Sequence, residues 1–316
     1  MKKSAGILSL TALTLLLGAC SSSPDPPEAV FETKNQASRY AEFGNAYFAD
    51  AEYELALRFF ELALEENTSV DNQPGIATNH NAIGRVYLAV GRLAPAESNF
   101  RLALEIAQRH EAPEALVQAH ANLGELYLYQ DRTADAAAAL GEAEAIIIAE
   151  ELGADPIVLH NLAVVRMREG SLEEAQELLG EAAAINEERS AWAELASNQY
   201  MLASLERRRD NLPGAIERAE LALDYDKRAE NSPGIAKDLH ILGRLNREAG
   251  NSEAAYDYLQ RSLRVTIALN QFEETRRNLR ILTEVAEEAG DREAAQEYRR
   301  QLELLDEQET EFLGAP

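Results

Sequence analysis

Four histidines recur at a similar step along the chain, and imidazole is the commonest metal ligand among protein side chains. They are His80, His120, His160 and His240. Equivalent side chains on successive packed helices lie about 8–10 Å apart, so at most two of these imidazoles could share an ion. Cys20 is the only cysteine, and no HExxH pair supplies further ligands. We therefore interpret the histidines as packing or lining residues and predict neither a metal nor a cofactor.

Catalytic motifs are also missing from the sequence. It contains no glycine-rich phosphate loop, no nucleophile elbow and no dinucleotide fingerprint. The formal net charge of −25 argues against nucleic acid or anionic lipid as a partner of the bulk surface. The sequence predicts a protein that is not an enzyme.

The chain repeats itself seven times at a step of about 40 residues. Small residues occupy one register position in six of the seven units: Gly44, Gly84, Gly124, Ala163, Ala203 and Gly243, with Thr283 in the last unit. Twelve residues after each comes an alanine: Ala56, Ala96, Ala136, Ala175, Ala215, Ala255 and Ala295. Such a step is typical of stacked supersecondary units, which usually offer a long surface to a partner.

Each unit contains two apolar patterns with helical spacing, separated by a short polar break such as Gly91-Arg92. Several units begin near a proline, and Asp155 and Ser232 precede Pro156 and Pro233 as expected N-caps. No run of period-2 alternation indicates a strand. The sequence therefore predicts an all-helical protein.

The first three units resemble tetratricopeptide repeats. With the register residue counted as position 8, that family has a large apolar residue at position 7 and an aromatic residue at 11. It has alanine at 20, a bulky residue at 24 and alanine at 27. The second unit matches with Ile83, Gly84, Tyr87, Ala96, Phe100 and Ala103. The resemblance implies an all-α, right-handed α-solenoid of stacked antiparallel helix pairs, a superhelix of the tetratricopeptide type.

The resemblance covers residues 37–306, although the later units drift from the pattern. Arg166, Glu206, Asn246 and Ala286 replace the aromatic residue, while Ala219 and Arg299 replace the bulky one. We interpret the last unit, with Thr283 and Arg299, as a polar cap. HEAT or armadillo repeats share the longer step and remain the alternative, but they lack the pattern of small residues.

In tetratricopeptide proteins the first helix of each hairpin lines a concave groove, which gives candidate partner-binding residues here. They are Asn81, Arg85, Tyr129, Arg168, Tyr200, Arg207, Arg208, Lys237, His240, Arg244 and Arg247. The C-terminal half of this groove is basic. Since the planar guanidinium fork matches carboxylates, it suits an acidic or C-terminal peptide segment. Alternatively, these arginines pair internally with acids such as Glu248, Glu284, Glu287 and Glu288.

The N-terminus resembles a bacterial lipoprotein signal. Residues 1–19 combine Lys2 and Lys3 with a short apolar run, and Leu17-Gly18-Ala19-Cys20 resembles a lipobox. The resemblance implies cleavage before Cys20 and lipid attachment to it; a plain secretory signal with an incidental cysteine is the alternative. Residues 20–36 then form a Ser/Pro-rich tether and 307–316 a short acidic tail. Ser21 after the cysteine favours the outer membrane, facing the periplasm, over the inner membrane.

The sequence thus favours a lipid-anchored scaffold of the bacterial envelope that holds protein partners in its groove. Lipoproteins of this layout serve pilus or secretion assembly, outer-membrane or peptidoglycan machinery, and the sequence does not choose among these. The alternative is a regulatory sensor that binds a peptide or small acidic ligand there. The sequence gives no indication of the oligomeric state.

Overall fold

The computed structural model describes residues 27–314, with side chains described for residues 28–305. This part of the chain contains fourteen helices and no strand. They are α1 (Pro27–Ala49), α2 (Tyr53–Ser69), α3 (Gln73–Ala89), α4 (Leu93–Arg109), α5 (Pro113–Tyr129), α6 (Thr133–Ala149), α7 (Pro156–Glu169), α8 (Leu172–Glu188), α9 (Trp192–Arg208), α10 (Leu212–Arg228), α11 (Ser232–Glu248), α12 (Ser252–Ala268), α13 (Phe272–Glu288) and α14 (Arg292–Gly314). Short turns make successive helices antiparallel, and each contacts the next along the chain. This confirms the predicted α-solenoid of stacked helix pairs.

Helix length explains the forty-residue step. The helices α2–α6 and α8–α13 each contain 17 residues, and most connections between them contain three. Each three-residue turn ends the preceding helix with a residue of positive φ, such as Gly91 at 73° or Asp131 at 57°. The Arg92 amide then donates to the Tyr87 carbonyl at 2.8 Å, which closes the turn. Two such helices with their turns occupy forty residues.

Small residues let the two helices of a hairpin approach closely. A Cβ atom at Gly84 would overlap the ring of Phe100, and one at Gly44 would lie 2.6 Å from the Phe60 ring. Phe100 is completely buried, as is Ala96 on the same helix. The predicted pairing of a small residue at position 8 with a bulky one at position 24 is therefore present in the packing.

Helix starts and chain ends differ in part from the predictions. Asp155 caps α7 as expected, accepting from the Ile157 amide at 2.8 Å, whereas Ser232 lies inside α11 and Asn231 caps that helix. Helix α1 begins at Pro27, ten residues before the predicted start of the solenoid, so the expected tether is wrong for residues 27–36. Helix α14 runs to Gly314, so the expected tail continues the last helix. The signal peptide, Cys20 and residues 20–26 lie outside the described residues.

In the final hairpin, position 24 of the repeat is occupied by the charged residue Arg299. Arg299 forms an ion pair with Glu287 of the neighbouring helix, and both side chains are about half exposed. The Thr283 hydroxyl, at the register position, donates to the Leu279 carbonyl at 2.8 Å. A long charged side chain at position 24 is tolerated because it turns outward to this acid.

Candidate peptide-binding groove

The odd-numbered helices form the inner surface of the solenoid. Successive odd helices from α3 to α11 contact one another, α3 with α5, α5 with α7, α7 with α9 and α9 with α11. A stack of hairpins brings together the helices on its concave side, so these helices line the inner groove. Two cavities open into this groove, each lined mainly by side chains of several odd helices.

The C-terminal cavity has a volume of about 360 Å³. Its polar lining from α9, α11, α13 and the turn before α13 includes Tyr200, Lys237, His240, Arg244, Gln271, Glu274 and Arg277. The Lys237 ammonium lies 4.0 Å from the centroid of the Tyr200 ring, a cation–π arrangement. Loss of hydration inside the groove lowers the pKa of Lys237, while the negative charges of Asp238 and Asp226 oppose that shift. The structure therefore brings together four of the predicted residues: Tyr200, Lys237, His240 and Arg244.

A hydrogen-bond chain fixes the orientation of His240. Its Nδ1 atom lies 2.8 Å from Oδ1 of Asn278, whose amide nitrogen donates to Oγ of Ser262 at 2.9 Å. The Ser262 hydroxyl donates to the Ala236 carbonyl at 2.7 Å. Because an amide oxygen only accepts, Nδ1 carries the hydrogen and Nε2 of the neutral ring is an acceptor. Burial lowers the pKa of His240, and Arg244 lowers it further.

Arg244 is a cation of this cavity that has no internal partner among the described residues. It is exposed to the groove and makes no hydrogen bond or ion pair with any residue in the described part of the chain. Arg277 lies beside it and forms an exposed ion pair with Glu274 at 2.9 Å. The sequence predicted Arg244, and its unit-seven neighbour Arg277 completes the cationic wall.

Four other predicted arginines have internal acceptors. Arg207 pairs with Glu248 at 2.7 Å, and Arg247 pairs with Glu284 at 2.6 Å and Glu288 at 2.5 Å. These pairs join successive odd helices along the edge of the groove. For Arg207 and Arg247 the alternative of internal pairing therefore describes the structure.

Arg168 and Arg208 donate hydrogen bonds to backbone carbonyls of a neighbouring helix. Arg168 donates to the Leu128 carbonyl at 2.8 Å, and Arg208 donates to the Met167 carbonyl at 2.5 Å. Each acceptor belongs to the last turn of the preceding odd helix, where carbonyls have no intrahelical partner and the helix dipole is negative. These two side chains cap a neighbouring helix and do not line either cavity.

The remaining predicted residues are dispersed. Asn81 is only 2% exposed and donates from Nδ2 to the Ala115 carbonyl at 3.2 Å, so its assignment to the groove surface is corrected. It is buried because position 5 of α3 packs against α5. Tyr129 is 65% exposed and lines neither cavity. Arg85 lies 4.9 Å above the Phe48 ring and lines the central cavity.

The central cavity, of about 310 Å³, contains acids and amides that the sequence did not single out. Its polar lining includes Arg85, Glu125, His160, Asn161, Glu194 and Asn198. Glu125 lines the groove, where burial raises the pKa of its carboxyl group, and the positive charges of Arg85 and Lys237 oppose that shift. Position 9 of the repeat marks Glu125 as a groove residue, but only the folded chain shows that the charge of Lys237, 112 residues later, acts on it.

Two buried amides shape the central cavity. Asn198 donates from Nδ2 to Nδ1 of His160 at 3.0 Å and accepts from Asn186 at 2.8 Å. Burial lowers the pKa of His160 to about 4, so the ring is neutral near pH 7. Asn161 is 6% exposed, and its Nδ2 atom has no hydrogen-bond partner among the described residues. Such a buried donor is costly unless an acceptor reaches it, and this cavity is where an acceptor could approach.

The described residues show two further features relevant to function. They contain no group of three or more His, Cys, Asp or Glu side chains arranged to hold a metal ion. Within the same part of the chain, no helix combines the length and apolar character needed to cross a bilayer.

Comparisons with known proteins agree with the fold. The tetratricopeptide repeat family model matches residues 36–109. No curated protein sequence matches the chain. The structure is similar to the Rap conjugation gene regulator of plasmid pLS20 in complex with the Phr* peptide, with a TM-score of 0.66 and 18% identity, covering 93% of this chain and 80% of that one.

Two other solved structures show the same architecture. Aspartyl phosphate phosphatase F from Bacillus subtilis has a TM-score of 0.57 and 18% identity, over 88% of this chain and 72% of that one. Pseudomonas aeruginosa pilF has a TM-score of 0.50 and 20% identity, over 74% of this chain and 93% of that one. The protein is thus an α-solenoid whose first repeats are of the tetratricopeptide type.

Proposed function

We propose that the inner groove binds a peptide segment of a partner protein, with a carboxylate of that segment in the C-terminal cavity. The observation that carries this proposal is Arg244, a groove-facing guanidinium beside Lys237 and Arg277 that has no partner among the side chains of residues 28–305. Guanidinium and ammonium groups in a sheltered cavity bind carboxylates through charge-assisted hydrogen bonds. The similarity to a fold that holds the Phr* peptide supports a peptide as the ligand.

The chemistry of the two cavities gives the bound segment a direction. The C-terminal cavity combines cations with the acceptor Nε2 of His240, which suits a carboxylate next to a hydrogen-bond donor. The central cavity offers the Glu125 carboxylate and the Asn161 amide, which suit a backbone or a cationic side chain. An extended segment therefore binds with its acidic or C-terminal end toward α13.

We also propose that the protein is a non-catalytic scaffold, which is anchored by lipid at Cys20 to the outer membrane and faces the periplasm. Its support is the lipobox-like Leu17-Gly18-Ala19-Cys20. Changing Cys20 to Ser should release the protein into the soluble fraction of the envelope. Continued sedimentation with membranes after that change would contradict the anchor without affecting the groove.

Crosslinked pull-down from the envelope tests the groove. The reversal variant Arg244→Glu/Arg277→Glu should lose the partner proteins that the wild type captures. The matched variant Arg58→Glu/Arg264→Glu makes the same charge change at exposed positions of α2 and α12 and should keep them. If the reversal variant recovers the same partners in the same amounts, the basic cavity does not bind them.

A second candidate is a sensor of a small acidic ligand, favoured by the size of the C-terminal cavity. A volume of about 360 Å³ lies in the range of small-molecule sites. A sensor should show a ligand-dependent rise in melting temperature with no protein partner present. A scaffold that recognises only protein segments should not respond to small dicarboxylates.

A further inference from the structure

The connection between successive hairpins contains a repeated polar contact. Where α8 meets α9, Asn186 donates to Asn198 at 2.8 Å. Forty residues later the same two positions, on α10 and α11, contain Asp226 and Asp238. The next connection contains Thr266 and Asn278 there. The α10–α11 joint therefore has two acids where its neighbours have uncharged residues.

These two carboxyl groups are deeply buried and close together. Asp226 is 4% exposed and Asp238 is 1% exposed, and the two side chains are within hydrogen-bonding reach of each other. Asn231 donates to Oδ1 of Asp226 at 2.8 Å. A Cβ atom at position 234 would overlap Oδ2 of Asp226, so Gly234 provides the space that this carboxyl group occupies.

Two ionised carboxylates in contact cannot both remain buried, so one of them holds a proton. The charged groups that act on the pair are Lys237 of α11 and Glu194 of α9, which have opposite signs, and the titratable Tyr200 of α9 also interacts with Asp238. Burial raises the pKa of Asp238 to about 9, and the charge of Asp226 adds to this effect. Oδ2 of Asp238 accepts no hydrogen bond from the described residues, which fits a protonated carboxyl group better than an ionised one.

We propose that Asp226 and Asp238 share one proton that holds the α10–α11 joint closed, and that loss of this proton loosens the joint. The shared proton lets Asp238 donate to Asp226, the reverse of the direction in the preceding joint, where Asn186 donates to Asn198. Losing it leaves two adjacent anions, whose repulsion pushes α11 away from α10. Since α11 carries Lys237, His240 and Arg244, the shape of the C-terminal cavity then depends on pH.

The direction of the pH effect follows from proton counting. An aspartic acid whose pKa is raised on folding binds more protons in the native state, so stability falls as pH rises between the unfolded and folded pKa values. Here that window extends from about 4, the ordinary aspartate value, to about 9 for Asp238. Between pH 7 and 9 ordinary carboxylates are already ionised, so the aspartate pair dominates the change in the free energy of unfolding. The pKa of Lys237 is also lowered, and the effect of that group must be controlled.

The test compares the full chain with the double variant Asp226→Asn/Asp238→Asn, which copies the amide pair of the preceding joint. The wild-type melting temperature should fall by roughly 5 °C or more between pH 7 and 9. The double variant should lose at least half of that fall. Lys237 cannot produce the fall, because a lysine whose pKa is lowered on folding makes stability rise with pH. Hydrogen exchange in α10 and α11 should accelerate toward pH 9, after correction for intrinsic rates, in the wild type alone.

A matched variant, Asp224→Asn/Glu230→Gln, removes two exposed acids near the same joint and should keep the wild-type slope. The proposal is overturned if the wild type shows no slope, or if the double variant keeps it. Should the double variant not fold, infrared spectroscopy of the wild type decides: a protonated-carboxyl band at pH 7 must disappear by pH 10. A spectrum without that band at pH 7 rejects the shared proton and leaves the proposed peptide groove untouched.

Discussion

The Nε atom of Arg207 lies 2.7 Å from Oε2 of Glu248, one helical repeat further along the groove edge. Arg247 makes the same contact with Glu288 one unit later. Both pairs link an odd helix to the next, so they contribute to stacking, whereas Arg244 on the same surface has no such partner in the part of the chain that the structure describes. The basic face therefore divides into arginines that join repeats and a cluster that is available to a ligand.

This division predicts opposite effects for two neutral substitutions. Arg207→Gln should lower the free energy of unfolding by less than about 1 kcal/mol, because the Arg207–Glu248 pair is partly exposed and screened. It should leave peptide binding unchanged. Arg244→Gln should leave urea denaturation unchanged and weaken binding of the peptide segment. Equal losses of binding in both variants would contradict the division.

Because the second hairpin is closely packed at Gly84, we expect replacement of this glycine to destabilise the protein. Gly84→Ala places a methyl group on the Phe100 ring, which should cost about 1–3 kcal/mol in the free energy of unfolding. Gly180→Ala is the control, because a Cβ atom there meets nothing within 4 Å. In the middle of α8 that change should stabilise by about 0.5–1 kcal/mol. Chemical denaturation of both variants checks the opposite signs.

Because the buried ring of His160 is neutral, we expect the stability of the protein to fall at acid pH. Burial lowers the pKa of His160 to about 4, so the native state disfavours its proton, and its contribution to stability is lost as pH falls from about 6.5 toward 4. His160→Gln should reduce the loss of stability over that range relative to the wild type. Melting curves at pH 6.5, 5.5 and 4.5 test this. Parallel curves for the two proteins would show that His160 is not buried as a neutral ring.

Much of the fold follows from the sequence because the repeat is local. The 40-residue step, the glycine at position 8 and the bulky residue at 24 each specify contacts within one hairpin, and the structure contains those contacts. The start of α1 was missed because prolines before Glu28 indicated a tether. Pro27 instead occupies the first helical position, where its missing amide hydrogen has no cost.

The groove was predictable only in part. Repeat positions identify Tyr200, Lys237, His240 and Arg244 one unit at a time, but whether an arginine is free depends on acids one repeat away. Glu248 and Glu288 occupy the right register to pair with Arg207 and Arg247, and that spacing of 41 residues is visible in the sequence. Curvature of the stack, which brings Lys237 near Glu125, has no such local signal.

Binding in the inner groove should depend on a carboxylate of the peptide. The most direct measurement is retention of a random peptide library, with free or amidated C-termini, on the immobilised full chain. We expect the wild type and Arg58→Glu/Arg264→Glu to retain free-acid peptides more strongly than amidated ones. Arg244→Glu/Arg277→Glu should lose that preference. Retention by the reversal variant at the wild-type level, or no retention by the wild type, would contradict the claim.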